Sequence, residues 1–391
     1  MKKMLFASLL VIAVVVVACA AAPTATPTAA PTATKAPAAA PTAIAAAPTK
    51  APATGGIDVP AGKMVSGIET GADIDKAKKE GKVVWYSAER EMDMNKIQET
   101  FNKKFEGIDA RSSYLREQTG RLYAKLVAER DAGQFIADVV NLTDMAIVLD
   151  AQKKGIYEKY LSPQLKNIDK TYMSDPPGLF TWNKVQVGGI SYNPDKTKPE
   201  DAPKTYKDIM NAKWAGRVNH KDSASGMQFA QWFAMRKLFG NDYWTQYAKA
   251  VQPKCYASTA QQFEKIISGE DLVNGMAQHS TFVTEKAKGS PVAYVIPPEG
   301  VSMGWQIMGV ATKAPHPESA KLFVDYALSQ EGQDLWTDLV GDFSTNKLAK
   351  PPQFMPKLSD VKLIIPDNWA ETLSDANHDV YIKEWNKACG L

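Results

Sequence analysis

Residues 82–87 read Lys82-Val83-Val84-Trp85-Tyr86-Ser87. A near-continuous apolar run of this length, rich in β-branched and aromatic side chains, describes a strand covered on both faces. Its neighbours in sequence are helical. Asp73–Gly81 is a short helix closed by Gly81, because glycine tolerates the left-handed backbone of a helix end. Met94–Phe105 places Ile97, Phe101 and Phe105 at helical spacing. Ile108–Tyr114 is extended, and Thr119–Ala132 is a helix with Leu122, Leu126 and Val127 on one stripe. Ala137–Asn141 is a second buried strand, and Thr143–Lys154 a helix stopped by Gly155. Strands alternating with helices on this scale predict an α/β fold with a mainly parallel sheet.

The second half of the chain repeats the pattern. Strands are expected at Val185–Tyr192, Val218–His220, Gly275–His279 and Gly304–Thr312. Helices are expected at Thr205–Asn211, Met227–Phe239, Thr259–Ser268 and Pro317–Gln330. All nine tryptophans fall between Trp85 and Trp385, so the ordered body begins near residue 64. A body of roughly 330 residues fits two α/β lobes at the usual ~100–200 residues per domain.

Before that body the composition changes. Met1–Lys3 is basic, and Met4–Ala18 is apolar apart from Ser8. A spanning helix needs about 20 apolar residues, so residues 1–18 are expected to be a signal peptide. The run ends Val16-Val17-Ala18-Cys19, which resembles the bacterial lipobox. That resemblance implies a diacylated Cys19 at the mature N-terminus, anchored in the membrane. Ala20–Gly56 holds seven prolines and no aromatic residue. It cannot bury a core, so residues 19–63 are expected to be a lipidated, disordered tether. The working body then lies outside the cytoplasm.

The 391 residues are 45% apolar and 23% charged, with a net charge of +3. Removing Lys2 and Lys3 with the signal peptide leaves the mature chain near +1, without the basic bias of a nucleic-acid binder. Three cysteines are too few for a disulfide scaffold. Export permits a bond between Cys255 and Cys389. The sequence leaves open whether they bond or remain two thiols.

Three blocks carry a family resemblance. They are Ala77–Ser87 (AKKEGKVVWYS), Tyr114–Val140 with its GRLYAKLVAERDAGQFIADVV pattern, and Pro315–Gln333 (PHPESAKLFVDYALSQEGQ). In this order they resemble the type-II extracytoplasmic solute-binding proteins of ABC importers, in particular the ferric-ion-binding branch. The match covers nearly all of residues 73–345. It implies a two-lobed periplasmic-binding-protein fold with a cleft that closes on a solute and hands it to a membrane permease. Two crossing strands, near Lys184–Tyr192 and Val301–Thr312, would form the hinge. Lobe 1 would hold residues 64–184 and 301–345, and lobe 2 residues 185–300 and 346–391. A monomer without a cofactor is expected.

The same resemblance frames the site. Ferric-binding relatives carry two adjacent tyrosines after a Gly-Glu turn. Here Gly269-Glu270 is followed by a strand ending Gln278-His279-Ser280-Thr281, and the tyrosine pair is missing. The early loop reads Ser87-Ala88-Glu89-Arg90, and Thr143 and Asp144 stand where the family places a carboxylate. A ferric ion favours phenolate and carboxylate oxygen. Glu89, Asp144 and His279 therefore form only an alternative, looser metal site.

An anion is the favoured solute: a carboxylate, phosphate or phosphonate. Asp222-Ser223-Ala224-Ser225-Gly226 precedes the apolar helix from Met227, where free N–H groups and the helix dipole favour negative charge. Relatives place an anion at this Ser225-Gly226 position. Ser258 and Thr259 open the next helix in the same way, and Arg90 and Arg116 can clamp an oxyanion bidentately. Trp182 and Trp305 flank the expected crossing strands. The plainer readings are an N-cap at Ser225, solvated arginines, packed tryptophans and a polar strand end at His279.

Gly300-Val301-Ser302-Met303-Gly304 matches the G-x-S-x-G nucleophile elbow, with Asp338 and His378 following in hydrolase order. The elbow needs a strand before the serine and a helix after it. Pro297-Pro298 precedes here and a strand follows, so a binding protein rather than a Ser302 hydrolase is expected. No P-loop, H-E-x-x-H or Cys/His cluster occurs.

Overall fold

The computed structural model describes residues 57–223 and 226–391. The expected signal peptide, Cys19, the tether up to residue 56 and Ser225 lie outside the described residues. Ile57 and Val59, assigned to the tether above, pack against the first core.

A hairpin of β1 (Lys63–Val65) and β2 (Ile68–Thr70) leads into α1 (Ile74–Glu80), which Asp73 caps and Gly81 closes in the left-handed region. The first half then runs β3 (Trp85–Ser87), α2 (Glu91–Lys104), β4 (Tyr114–Arg116), α3 (Thr119–Asp131), β5 (Val139–Leu142) and α4 (Met145–Lys153). β3 pairs in parallel with both β4 and β5. The long strand β6 (Thr181–Tyr192) follows. The second half runs α5 (Tyr206–Ile209), β7 (Val218–Lys221), α6 (Gly226–Phe239), α7 (Tyr243–Val251), β8 (Lys254–Tyr256), α8 (Thr259–Ser268), β9 (Val273–Gln278), α9 (His279–Ala287) and β10 (Ala293–Val295). β11 (Ser302–Val310) returns to the first half, followed by α10 (Pro317–Leu328), α11 (Gln330–Val340), β12 (Phe343–Ser344), α12 (Trp369–Thr372) and α13 (Asp375–Cys389).

Apart from the β1–β2 pair, the strands form one sheet, in the order β4-β3-β5-β11-β6-β9-β7-β8, with β10 and β12 also on β6. β6 and β11 are antiparallel to each other and occupy its centre. The end of β11 pairs with β5, and the end of β6 pairs with β9. These two strands are the crossing segments expected from the sequence. Each carries a register irregularity, at Gln306/Ile307 and Gly189/Ser191, which sharpens local twist. Gly189 is required: a Cβ there would meet Val295 O at 2.6 Å.

Each half has its own core. Trp85, Phe101, Phe323, Tyr326 and Trp336 are buried together in the first. Trp232, Trp244, Tyr247, Tyr381 and Trp385 are buried together in the second. A third cluster lines the centre around Val185, Val187, Met303 and Ile307. At roughly 1.5–3 kcal/mol per large buried apolar side chain, these clusters hold the sheet faces closed. Cys255 and Cys389 form the disulfide the sequence left open, joining β8 to α13 with a Cα–Cα distance of 5.4 Å.

Some boundaries differ from expectation. The stretch from Ile108 is irregular until β4 begins at Tyr114, with only a bridge between Lys82 and Asp109 upstream. β6 begins four residues early because Asn183 and Lys184, which break the apolar pattern, are themselves buried in the strand.

Candidate functional site

In parallel α/β sheets, ligands gather outside the carboxyl ends of the strands. Here β3, β4 and β5 run at once into α2, α3 and α4, and β7, β8 and β9 into α6, α8 and α9. Ser87 ends β3 fully buried, and its hydroxyl accepts the Glu89 N–H at 3.1 Å. The Tyr114 hydroxyl donates to Glu89 O at 2.8 Å. This tight turn aims the Glu89 carboxylate inward, where it pairs with Lys184 Nζ.

Lys184 lies on β6 and is buried. Its ammonium also meets Asp342 Oδ2 at 2.9 Å, and Gln186 Nε2 donates to the same oxygen at 3.1 Å. Burial alone would push the lysine pKa down. The Asp342 and Glu89 carboxylates outweigh it and hold Lys184 above its ordinary value, so it stays charged. Two carboxylates thus share one ammonium. Asp342 Oδ1 makes no hydrogen bond.

His279 opens α9, fully buried. Its Nδ1 accepts the Val187 N–H at 3.1 Å, which in the neutral ring assigns the proton to Nε2. Burial keeps the ring neutral, with its pKa pushed down to about 4. Nε2 faces Asp342 Oδ1 across 3.8 Å. The ring therefore presents an N–H, not a lone pair, to its surroundings.

The other expected ligands are scattered around this centre. Asp144 is exposed and caps α4 by accepting the Ala146 and Ile147 N–H groups. Thr143 shares a 2.8 Å hydroxyl contact with Thr119. Arg90 is exposed and bonded to Asp93 of its own helix at 2.7 Å. Arg116 ends β4 exposed; its backbone pairs with Ser87 and its charge lies near Glu117, and its side chain makes no hydrogen bond or ion pair among the described residues. Ser258 caps α8 through the Gln261 N–H, and the Thr259 hydroxyl lies 3.5 Å from Gln278 Oε1. Ser280 is buried one residue into α9. Gly226 begins α6. Trp305 stacks on buried Trp182 at 5.6 Å and meets the Trp369 edge at 4.7 Å.

Glu89, Asp144 and His279 are not gathered as a metal site. One is bound to lysine, one caps a helix, and one offers an N–H. Among the described residues no three His, Cys, Asp or Glu side chains converge to hold a metal ion. The hydrolase set is likewise dispersed. Ser302 lies within β11 with its hydroxyl buried and without a partner. Asp338 pairs with Lys350, and His378 stacks on Phe229. Lys184, Gln186 and Asp342 were missed from sequence. The one available cue was a lysine inside a strand expected to be buried.

A family described as bacterial extracellular solute-binding protein matches residues 135–372. The iron uptake protein A1 of Synechocystis sp. is 26% identical over 213 residues, covering 50% of this chain and 58% of that protein. The periplasmic binding protein AfuA from Actinobacillus pleuropneumoniae, solved with fructose-6-phosphate, aligns with a TM-score of 0.62 at 24% identity, covering 80% of this chain and 99% of that one. Iron-bound HitA from Pseudomonas aeruginosa aligns with a TM-score of 0.63 at 18% identity, covering 79% and 99%. The fold is that of the type II periplasmic binding proteins. No helix among the described residues is long and apolar enough to cross a membrane.

Proposed function

The chain belongs to the family of bacterial extracellular solute-binding proteins, and from that premise we propose that it captures a small oxyanion, a phosphate ester or carboxylate, for an ABC permease. One observation carries the choice of anion. The N-termini of α2, α3 and α9 lack a side-chain cap, and the unpaired Arg116 stands beside one of them. Uncapped helix starts and a free guanidinium are what an oxyanion recognises. AfuA holds a sugar phosphate on the same fold.

Capture follows from the sheet. β6 and β11 join two halves that each hold a core of their own, so closure would twist these two strands and the cluster packed around them. The two lobes would be residues 64–184 with 301–345 and 185–300 with 346–391, and Cys19 would tether the body to the membrane. Mass spectrometry of the mature N-terminus tests that anchor.

The solute test is a melting series on the purified chain with fructose-6-phosphate, inorganic phosphate, citrate and ferric ion. A ligand that binds only the native state raises the melting temperature by mass action. We expect a shift with an oxyanion that is lost in Arg116→Ala. The iron-named relatives favour a second reading. A shift with ferric ion alone, unchanged in Arg116→Ala, establishes that reading and ends the anion proposal.

A further inference from the structure

Lys184 holds its two carboxylates unequally. Asp342 has a side chain 1% exposed, accepts a second bond from Gln186 Nε2 at 3.1 Å, and adjoins β12, which pairs with β6 at Lys184 and Val185. Glu89 follows β3 on a loop at the carboxyl end of that strand, and its side chain is 11% exposed. The Ser87 and Tyr114 hydroxyls fix its backbone. Its carboxylate makes no ion pair or hydrogen bond other than the one to Lys184 among the described residues. Rotating this one side chain toward solvent uncovers the ammonium and leaves the turn, Asp342 and the sheet in place. His279 of the second half faces Asp342 across 3.8 Å, so the ammonium lies where both halves converge.

We infer that Glu89 is a displaceable internal carboxylate, which holds Lys184 until a carboxylate of the solute takes its place. This role presupposes the oxyanion solute proposed above and narrows it to a carboxylate. The exchange needs no more room beside Lys184 than the departing group vacates, since the two groups are the same in shape. It also leaves the charge around the ammonium unchanged, whereas a phosphate dianion would add one beside Asp342. A buried lysine stripped of a partner is costly, which accounts for an internal stand-in while no solute is bound. The pair itself brings little net stability that an incoming carboxylate does not restore. Glu89 thereby sets a threshold. A carboxylate displaces it only when the rest of the solute gains contacts of its own.

The test is a pair of measurements on the full chain. Glu89→Ala removes the part of the side chain that acetate replaces. A saturable rise in melting temperature with acetate is expected in this variant, and none with acetamide or in wild type at the same concentration. Glu89→Gln keeps the shape and removes the charge. Citrate is expected to bind it about tenfold tighter than wild type in calorimetry, because a charged competitor is gone. A purely structural ion pair gives no acetate effect and an unchanged or weaker citrate affinity. Either of these results, with wild type still binding citrate, overturns the inference alone, as does acetamide acting as well as acetate. A wild-type shift with fructose-6-phosphate or inorganic phosphate but not with citrate overturns the restriction to a carboxylate and the inference with it. No oxyanion shift in any form overturns the proposed solute as well.

Discussion

Asp325 and Asp342 are both buried carboxylates, and they are satisfied in opposite ways. Asp325, on α10, has no cation. Its Oδ2 accepts from the Thr70 hydroxyl, the Gly71 N–H and the Tyr160 hydroxyl, and its Oδ1 from the Ser162 hydroxyl, all within 3.0 Å. It staples three separate stretches of the first half. Asp342 leans on Lys184 and Gln186 through one oxygen and leaves the other without a bond. On β11 nearby in the sheet, Ser302 Oγ and both polar atoms of Gln306 are also buried and unpartnered. Each such group costs about 1–3 kcal/mol. Asp325 has no bond left to make, whereas Asp342, Ser302 and Gln306 leave polar atoms at the central strands where a solute or water has bonds to gain.

The largest expected effect breaks the staple. Asp325→Ala strands three buried hydroxyls and should lower unfolding free energy by about 3–5 kcal/mol in urea titration. Solute affinity of the folded fraction should not change. A change in affinity would mean that the staple belongs to the site.

Lys184→Met should be nearly as costly at neutral pH, about 3 kcal/mol, because it leaves Glu89 and Asp342 buried without their cation. Solute affinity should fall as well, measured by calorimetry.

The pH profile separates the two regions further. Burial pushes His279 down to about 4, below the ordinary value of 6.5. The unfolded state therefore takes up a proton that the folded state refuses, so stability falls as pH drops from 6.5 toward 4, on the order of 2–3 kcal/mol from this group. Burial acts oppositely on Asp325, raising its pKa to about 6 over the pull of its four donors. There the folded state holds the proton longer, so that contribution is greatest below pH 4 and declines as pH rises through 6. Urea titrations across this range should show a shallower acid-side fall in His279→Gln. An unchanged slope would mean that His279 is not held neutral.

The smallest effect is expected at Ser302. Its hydroxyl is buried without a partner, so Ser302→Ala should raise stability by about 1 kcal/mol in urea titration. Solute binding should persist. A loss of solute binding would place that hydroxyl on the ligand.

The sequence carried most of the fold because hydrophobic periodicity is local. The helix expected at Thr259–Ser268 has those bounds, and the one expected at Met227–Phe239 begins one residue earlier. α7, α9, α11 and α13 were not anticipated. The strand expected through His279 stops at Gln278, and His279 itself starts a helix, its ring bonded to the Val187 N–H and stacked on Phe343. The site was less legible for the same reason. Glu89 and His279 stood out as chemistry in loops, but their roles depend on Lys184 and Asp342, which are remote in sequence and adjacent only once β6 and β12 pair. Nothing local to Glu89 announces a lysine nearly a hundred residues away.

The first half is assembled from both ends of a long detour. The Ser319 hydroxyl donates to Ala77 O, and the Glu80 carboxylate accepts the Glu318 and Ser319 N–H groups, so α1 rests on α10. β5 likewise has β11 as its neighbour. On a chain synthesised from its N-terminus, α1 to α4 therefore wait, with the β5 edge bare, until β11 and α10 have been made. The second half waits longer still, because Tyr381 and Trp385 of α13 complete its core and Cys389 its disulfide. Contacts of such high sequence separation slow folding, and an exposed parallel edge invites association with other chains. Refolding from denaturant should accordingly protect the β3, β5, β7 and β9 amides late, since each half is closed by a segment from far along the chain.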